Sequence, residues 1–333
     1  MIPGLEGSLF GRDEGGIHMF TTVVVPLDGS ELAERALPYA VRFAAERGGR
    51  LALVRAALGP LPSGLSWERQ QLAAVEEATA YLAGVAEKVA TRVPVTTAAL
   101  YGHPVDEILA AVEQFGADSV VMATHGRTGL AHLLFGSVAE AVLARSSVPV
   151  FVVHARPGEA AAPPFDSTSA RIIVPLDGSA FAEAVLPAAL EIVGDAGELV
   201  LTSVAEPPDH VERDERGRVL AYLDQQEEAI TRDALDYLRR IQAALTHQRP
   251  GLHVTLDVRI GDPGAGIAIA EVARGADLVV MATHGRTGLR RALLGSVAGD
   301  VVATGSVPVL LVSPAVAAVS ELQPAARGMV GSG

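Results

Sequence analysis

Four short sequence blocks occur twice in the chain, in the same order, and this internal repeat limits the fold more than any other feature. The blocks are VPLDGS at 25–30 and 174–179, MATHGRTGL at 122–130 and 281–289, GSVA at 136–139 and 295–298, and SVPV at 147–150 and 306–309. A chain of 333 residues is about twice the usual domain length. We therefore predict one domain over 20–155, a linker over 156–168, a second domain over 169–314 and a disordered tail over 315–333.

Predicted strands alternate with predicted helices along each half. Apolar, β-branched runs without polar alternation are typical of strands buried on both faces. The predicted strands are 21–25, 51–57, 94–100, 119–123 and 148–153 in the first half, and 172–174, 198–204, 253–259, 278–282 and 307–312 in the second. Helical periodicity in the first half covers 31–47, 66–91, 105–115 and 137–144. The alternation predicts an α/β fold of two tandem, doubly wound, five-stranded parallel sheets, each with strand order 3-2-1-4-5.

Two prolines occupy matching positions in the first predicted helix of each half, Pro38 and Pro187. A proline inside a helix removes a backbone hydrogen bond and clashes with the preceding turn. We therefore predict a kink in both helices.

Composition excludes several classes of protein. The chain contains no Cys, which excludes disulfide scaffolds, zinc–thiolate sites and thiol catalysis. The net charge of −13 disfavours binding to nucleic acid or to an anionic membrane surface. The first 20 residues lack the features of a secretory signal, and no apolar run reaches the roughly 18 residues of a membrane span. We predict a soluble protein of the cytoplasm.

Repeated blocks follow the first and the fourth predicted strand of each half. Strand order reverses between these two strands, and ligands of such sheets bind there, at the carboxyl ends. The second block extends into the spacing Ala-x2-Gly-x9-Gly-Ser, which begins at Ala123 and again at Ala282. Its glycines let backbone N–H groups approach an anion, and its last two residues begin a helix whose first amides attract negative charge. The spacing predicts a cradle for a polyphosphate.

The nucleotide-binding residues predicted in this region lie within the spacing or directly after it. They are Ala123, Gly126, Arg127, Gly129, Gly136, Ser137 and Val138 in the first half, and Ala282, Gly285, Arg286, Gly288, Gly295, Ser296 and Val297 in the second. Arg127 and Arg286 are the nearest cations in the sequence. The Ser137 hydroxyl is suited either to cap the helix or to contact a phosphate.

The sequence contains no recognisable catalytic apparatus. Lys88 is the only lysine and lies far from any glycine loop, so neither a P-loop nor a kinase-type lysine is present. The motifs GxSxG and HExxH are absent. His125 and His284 are interpreted as loop residues bonded to the backbone rather than as catalytic bases. We predict no catalytic residue, and a protein that binds its ligand rather than transforming it.

Taken together, these motifs resemble the universal stress protein family in its tandem form. The resemblance rests on PLDGS, THGRTGL, the helix start GSVA and the closing SVPVFVV, and it extends over nearly all of both halves. It implies ATP as the ligand. The residues that it places around the adenine and ribose are Pro26, Asp28, Ala56, Pro175, Asp177 and Val204. It also implies that the final strands of the halves pair to form an internal pseudo-dimer, and we further predict a homodimer of the chain.

One departure from the family concerns the first position of the glycine spacing. The ATP-binding subset of the family has Gly-x2-Gly-x9-Gly-Ser/Thr, whereas Ala123 and Ala282 stand at the first position here. An added methyl group at this position either crowds the phosphate or tilts the loop. The departure therefore bears on affinity rather than on fold.

Some residues have two interpretations. Asp28 and Asp177 are suited to accept a ribose hydroxyl or to hold Mg²⁺, or else they cap the following helix. Arg290 and Arg291 either attract phosphate to the second pocket or lie on a surface loop. The acidic stretch 206–228 is interpreted as a solvated helix and loop that covers the second site as a lid.

Three functions fit the sequence. The first is an ATP-binding sensor or regulator of the stress response. The second is a slow ATP hydrolase with Mg²⁺ held near Asp28 or Asp177. The third is a scaffold whose pockets no longer hold a nucleotide because of the two alanines.

Overall fold

The structure is a computed structural model that describes residues 19–57, 67–124, 136–155, 164–208, 211–213, 219–283 and 294–313. The predicted tail at 315–333 and the first part of the predicted linker lie outside these residues. All statements on structure below concern the described residues.

Both halves contain the same succession of elements, except that the second half adds the short strands β8 and β9. The first half contains β1 (Thr22–Pro26), α1 (Glu31–Glu34), α2 (Leu37–Glu46), β2 (Arg50–Ala56), α3 (Trp67–Val89), β3 (Val95–Leu100), α4 (Pro104–Phe115), β4 (Ser119–Ala123), α5 (Ser137–Arg145) and β5 (Val150–Val153). The second half contains β6 (Arg171–Pro175), α6 (Ala180–Glu183), α7 (Leu186–Ile192), β7 (Glu198–Ala205), β8 (Glu212–Arg213), β9 (Val219–Ala221), α8 (Leu223–Gln248), β10 (His253–Ile260), α9 (Pro263–Arg274), β11 (Leu278–Ala282), α10 (Ser296–Thr304) and β12 (Val309–Val312).

One continuous sheet runs through both halves. Its ten strands stand in the order β10-β7-β6-β11-β12-β5-β4-β1-β2-β3. Within each half every pairing in this sheet is parallel and the order is 3-2-1-4-5, which confirms the predicted topology. The halves join through β5 and β12, which pair in antiparallel fashion with Leu310 opposite Phe151. The predicted pairing of the final strands is also confirmed.

Alternate residues of each inner strand of the ten-stranded sheet enter two hydrophobic layers, one on each face of the sheet. In β1, Val23 and Val25 belong to the first layer and Val24 to the second, and all three are fully buried. This double burial accounts for the absence of polar alternation in the strand. Each layer contains residues of both halves, because β5 and β12 contribute to both.

An aromatic cluster fills the first layer where the halves join. The Phe151 ring lies 5.0 Å from that of Phe43, 5.4 Å from that of Tyr39 and 6.3 Å from that of Phe20, measured between centroids. Aromatic residues are only 4% of the chain, so this concentration marks the junction as a principal packing centre.

Polar contacts join α2 of the first half to α7 and to the chain that leads into β6. Arg47 donates to the Glu191 carbonyl at 3.3 Å, and the Glu191 carboxylate accepts from the Met19 N–H at 3.1 Å. Arg42 donates to the Phe165 carbonyl. Hydrogen bonds therefore link the end of α2 to α7 and to the chain before β6.

Pro38 and Pro187 begin new helices instead of kinking longer ones, so the predicted kinks are wrong. α1 ends at Glu34 and α2 begins at Leu37, and the same break separates α6 from α7. Each proline stands in the first turn of its helix. The N–H groups of the first turn make no hydrogen bond within the helix, so a proline there removes none.

The acidic stretch 206–228 differs from its predicted helix and loop. It contains the short antiparallel pair β8 and β9, and α8 begins only at Leu223. Strands of two and three residues are too short to show a period in the sequence. The proposed action of this stretch as a lid stays a prediction.

We expect Phe151→Ala to lower the free energy of unfolding by about 3–5 kcal/mol, because the fully buried ring contacts three other aromatic rings. Guanidinium denaturation should show one transition before and after the change, since both hydrophobic layers span the halves. As a control, Phe181→Ala, at a side chain 41% exposed, should change the stability by less than about 1 kcal/mol. Two separate transitions, of which only one shifts, would contradict the shared core.

Candidate functional site

The carboxyl ends of the first and fourth strands of each half lie side by side. β1 runs parallel to β4, with Val24 opposite Val120, and β6 runs parallel to β11, with Ile172 opposite Leu278. Neighbouring strands in a sheet are about 4.8 Å apart. The two repeated loops of each half therefore leave the sheet next to each other, at the point where its strand order reverses.

In the DGS turn after the first strand, the aspartate holds a serine, and the serine caps the next helix. Asp28 Oδ1 accepts hydrogen bonds from the N–H and the hydroxyl of Ser30, at 2.9 and 2.6 Å. Ser30 Oγ accepts from the Ala33 N–H at 3.1 Å. The second half repeats the three contacts through Asp177 and Ser179, at 3.0, 2.6 and 3.2 Å. Direct capping by the aspartates is therefore wrong: they orient the serine that caps.

The helix after the fourth strand begins directly beside the end of that strand. The Gly136 N–H donates to the Thr124 carbonyl at 3.0 Å, and the Gly295 N–H donates to the Thr283 carbonyl at 2.9 Å. A Cβ on Gly136 would lie 2.6 Å from the Thr124 oxygen, so this approach requires glycine. Gly136 is the N-cap of α5, so the predicted capping by Ser137 is wrong. The first two helical residues of the two halves are Ser137, Val138, Ser296 and Val297.

Ala123 and Ala282 are the last residues of β4 and β11. They pair in the parallel ladder with Val153 and Val312 respectively. Their exposures are 8% and 9%. Extended strand backbone accepts a Cβ, so alanine fits this position without strain.

Four of the residues assigned to the base and ribose lie at or next to the last residue of the first two strands of each half. Pro26 ends β1, and Pro175 ends β6. Ala56 is the last residue of β2 and is partly buried. Val204 packs on α9, since its Cγ1 lies 2.7 Å from where a Cβ on Gly266 would stand. All four positions are at the sheet edge from which the repeated loops leave.

Much of the predicted phosphate cradle lies outside the described residues in both halves. This applies to His125, Gly126, Arg127, Gly129, His284, Gly285, Arg286, Gly288, Arg290 and Arg291. Their roles stay predictions.

A buried arginine beside the first DGS turn belongs to no motif of the sequence. Arg55 in β2 is 6% exposed. Its guanidinium atoms lie 3.4–3.5 Å from the position that a Cβ on Gly29 would take. The one sign of it in the sequence is a charged residue within the apolar run LALVRA.

Each half contains a tyrosine–glutamate pair between its long helix and its first short helix. Tyr81 donates to Glu34 Oε1 and Tyr237 to Glu183 Oε1, both at 2.9 Å. Burial and the neighbouring carboxylate raise the pKa of both phenols above the usual value of 10.0. Both hydroxyls therefore stay protonated at neutral pH and continue to donate.

No group of three or more His, Asp or Glu side chains suited to a metal ion occurs within the described ranges. Among the helices that the structure describes, none is long and apolar enough to cross a membrane.

We expect Ser30→Ala to lower the free energy of unfolding by about 1 kcal/mol, because it removes the side-chain cap of α1. Ser179→Ala should have a similar effect on α6. Ser137→Ala is the matched control, since the N-cap of its helix is a glycine, and urea denaturation should leave its stability nearly unchanged. Equal losses in all three variants would contradict the capping role.

The raised phenol pKa values predict alkaline destabilisation. Below the ordinary phenol pKa of 10.0, the stability that Tyr81 and Tyr237 contribute to the folded chain is fully present. As the pH rises further, the phenols of the unfolded chain ionise first and the contribution is lost. A Tyr81→Phe, Tyr237→Phe double variant should lose less stability between about pH 9 and pH 11 than the wild type in urea denaturation. Each single variant should show part of this effect, and a double variant that loses as much stability as the wild type over this range would contradict the prediction.

Comparison with known proteins identifies the family of the chain. The sequence profile of the universal stress protein family matches residues 19–154 and 169–313. A universal stress protein of Mycobacterium tuberculosis is 28% identical over 302 residues, which cover 87% of this chain and 96% of that protein. The crystal structure of a universal stress protein from Archaeoglobus fulgidus shares the fold, with a TM-score of 0.67 over 89% of this chain and 99% of that chain, at 22% identity. The chain therefore belongs to the universal stress protein family and carries two of its domains in tandem.

Proposed function

We propose that the chain binds ATP at two sites, one at the strand-order reversal of each half, and acts as a sensor or regulator. Membership of the family supports a role in the stress response. The observation that carries the ATP proposal is that the same arrangement of loops occurs in both halves. In both halves the DGS turn and the glycine-capped helix start meet at the same sheet edge.

The helix start supplies the attraction for phosphate. The N–H of Gly136 bonds to the Thr124 carbonyl and so holds the start of α5 beside the end of β4. The first amides of α5 have no intrahelical acceptor and carry the positive end of the helix dipole. Backbone amides bind phosphate without a lysine, which suits a chain that has only Lys88.

The DGS turn supplies the contact for the sugar. The Asp28 carboxylate is oriented by two hydrogen bonds from Ser30, and a carboxylate held in this way is a suitable acceptor for ribose hydroxyls. Pro26 and Ala56, at the ends of the adjoining strands, offer apolar surface to a base. Asp177, Pro175 and Val204 offer the same set in the second half.

The two alanines favour intact sites over a scaffold that has lost its ligand. The scaffold hypothesis requires the methyl groups of Ala123 and Ala282 to spoil the loop. Both residues lie within paired strands and are almost fully buried, so their methyl groups occupy sheet positions. This arrangement supports nucleotide binding by both halves.

We expect ATP binding to be lost when Gly136 and Gly295 are both replaced by Val. A Cβ at Gly136 would press against the Thr124 oxygen at 2.6 Å, so the start of α5 must move away from the sheet edge. In titration calorimetry the stoichiometry should fall from about two per chain to about one in each single variant.

Gly84→Ala is the control, because a Cβ there meets nothing within 4 Å, and it should retain both sites. Thermal unfolding of each variant reports whether the fold survives. A wild-type chain that takes up no ATP would overturn the proposal. Release of ADP during incubation with Mg²⁺ would favour the slow hydrolase over a sensor that only binds.

A further inference from the structure

The two halves differ at one buried position beside the DGS turn. The last residue of β1 lies opposite Val54, and the last residue of β6 lies opposite Thr202. Arg55 and Ser203 are the next residues along β2 and β7, so they occupy equivalent places. Both are buried, at 6% and 8% exposure. A guanidinium in the first half is therefore replaced by a small hydroxyl in the second.

Arg55 joins three elements around the first turn. Its Nη2 lies 3.0 Å from Glu77 Oε1 on α3, and its Cζ lies 4.9 Å from the ring centroid of Tyr81 on the same helix. Its guanidinium also packs on the turn at Gly29. The arginine therefore connects β2, α3 and the DGS turn through one rigid, planar group.

The fold itself does not require this arginine. The second half forms the equivalent strand and turn with Ser203, and its tyrosine–glutamate pair has the same 2.9 Å hydrogen bond. Burying a guanidinium costs free energy unless it is well paired, and its partner Glu77 is 69% exposed. The position of Arg55 is therefore better explained by the turn on which it packs than by stability.

The two turns have the same backbone and different support. Gly29 has φ +89° and Gly178 has φ +82°. The guanidinium of Arg55 stands against Gly29, whereas no described atom lies within 4 Å of a Cβ built on Gly178. The second turn is held instead by a hydrogen bond from the Gly178 backbone to Tyr237 on α8. The first turn thus packs on a buried side chain that is anchored on two other elements, and the second turn has no such side chain.

We propose that Arg55 is a positioning residue that makes the first site the tighter of the two ATP sites. This inference rests on the proposed function. A turn that is already held in its bound geometry loses less conformational freedom when a ligand binds. Arg55 therefore acts through the DGS turn, by holding the backbone that carries Asp28, and needs no contact with the nucleotide.

The test measures each site alone by titration calorimetry with ATP. Gly295→Val leaves the first site and Gly136→Val leaves the second. We expect the first site to bind about tenfold more tightly than the second. Arg55→Ser, added to the Gly295→Val chain, should remove that difference. Arg55→Lys should weaken binding as much, since lysine keeps the charge but lacks the planar group that packs on Gly29.

Ser203→Ala in the Gly136→Val chain is the matched control and should leave the second site unchanged. If Arg55→Ser does not fold, the comparison of the two single-site chains and the Arg55→Lys variant still decide the matter. Equal affinities, or a second site that binds more tightly, would overturn the role of Arg55 while leaving ATP binding in place. Full affinity in Arg55→Lys would also overturn it, because charge alone would then suffice. No ATP binding by the wild type would instead overturn the proposed function itself.

Discussion

The hydrogen bonds between β5 and β12 are the contact on which the rest of the structure depends. All four residues of each strand are buried. If the halves separated, each would expose an apolar edge strand with unpaired backbone groups, which is a template for aggregation. The pairing removes both edges and makes the two hydrophobic layers continuous across the chain. The outer edges of the sheet are then β3 and β10, most of whose residues are at least partly exposed.

The two halves share the residues that make specific hydrogen bonds at the candidate sites and differ at neighbouring positions. The glycine at each helix start is fixed because its N–H bonds to the end of the neighbouring strand. The aspartate and serine of each turn are fixed because they bond to each other and cap a helix. Arg55 and Ser203 are both buried. They differ in chemistry because the strand needs neither side chain to form.

The sheet and the location of the candidate sites could be predicted because they depend on local signals. Buried strands appear as apolar runs, and the repeat supplies two independent examples of each loop. The break before Pro38 escaped prediction because helical periodicity continues across two helices that are separated by two residues. The contacts of Arg55 escaped it because they join residues as distant in sequence as Gly29 and Tyr81, and no spacing encodes such a meeting.

The antiparallel junction also determines where the chain faces its surroundings. Every strand of the main sheet in one half runs in one direction, and every strand in the other half runs in the opposite direction. The carboxyl ends of the two halves consequently open toward opposite sides of the molecule. A partner bound at the carboxyl ends of one half leaves those of the other half uncovered. The chain is therefore able to present two independent faces at once. Any coupling between the two sites has to cross the buried strands β5 and β12 at the centre of the sheet.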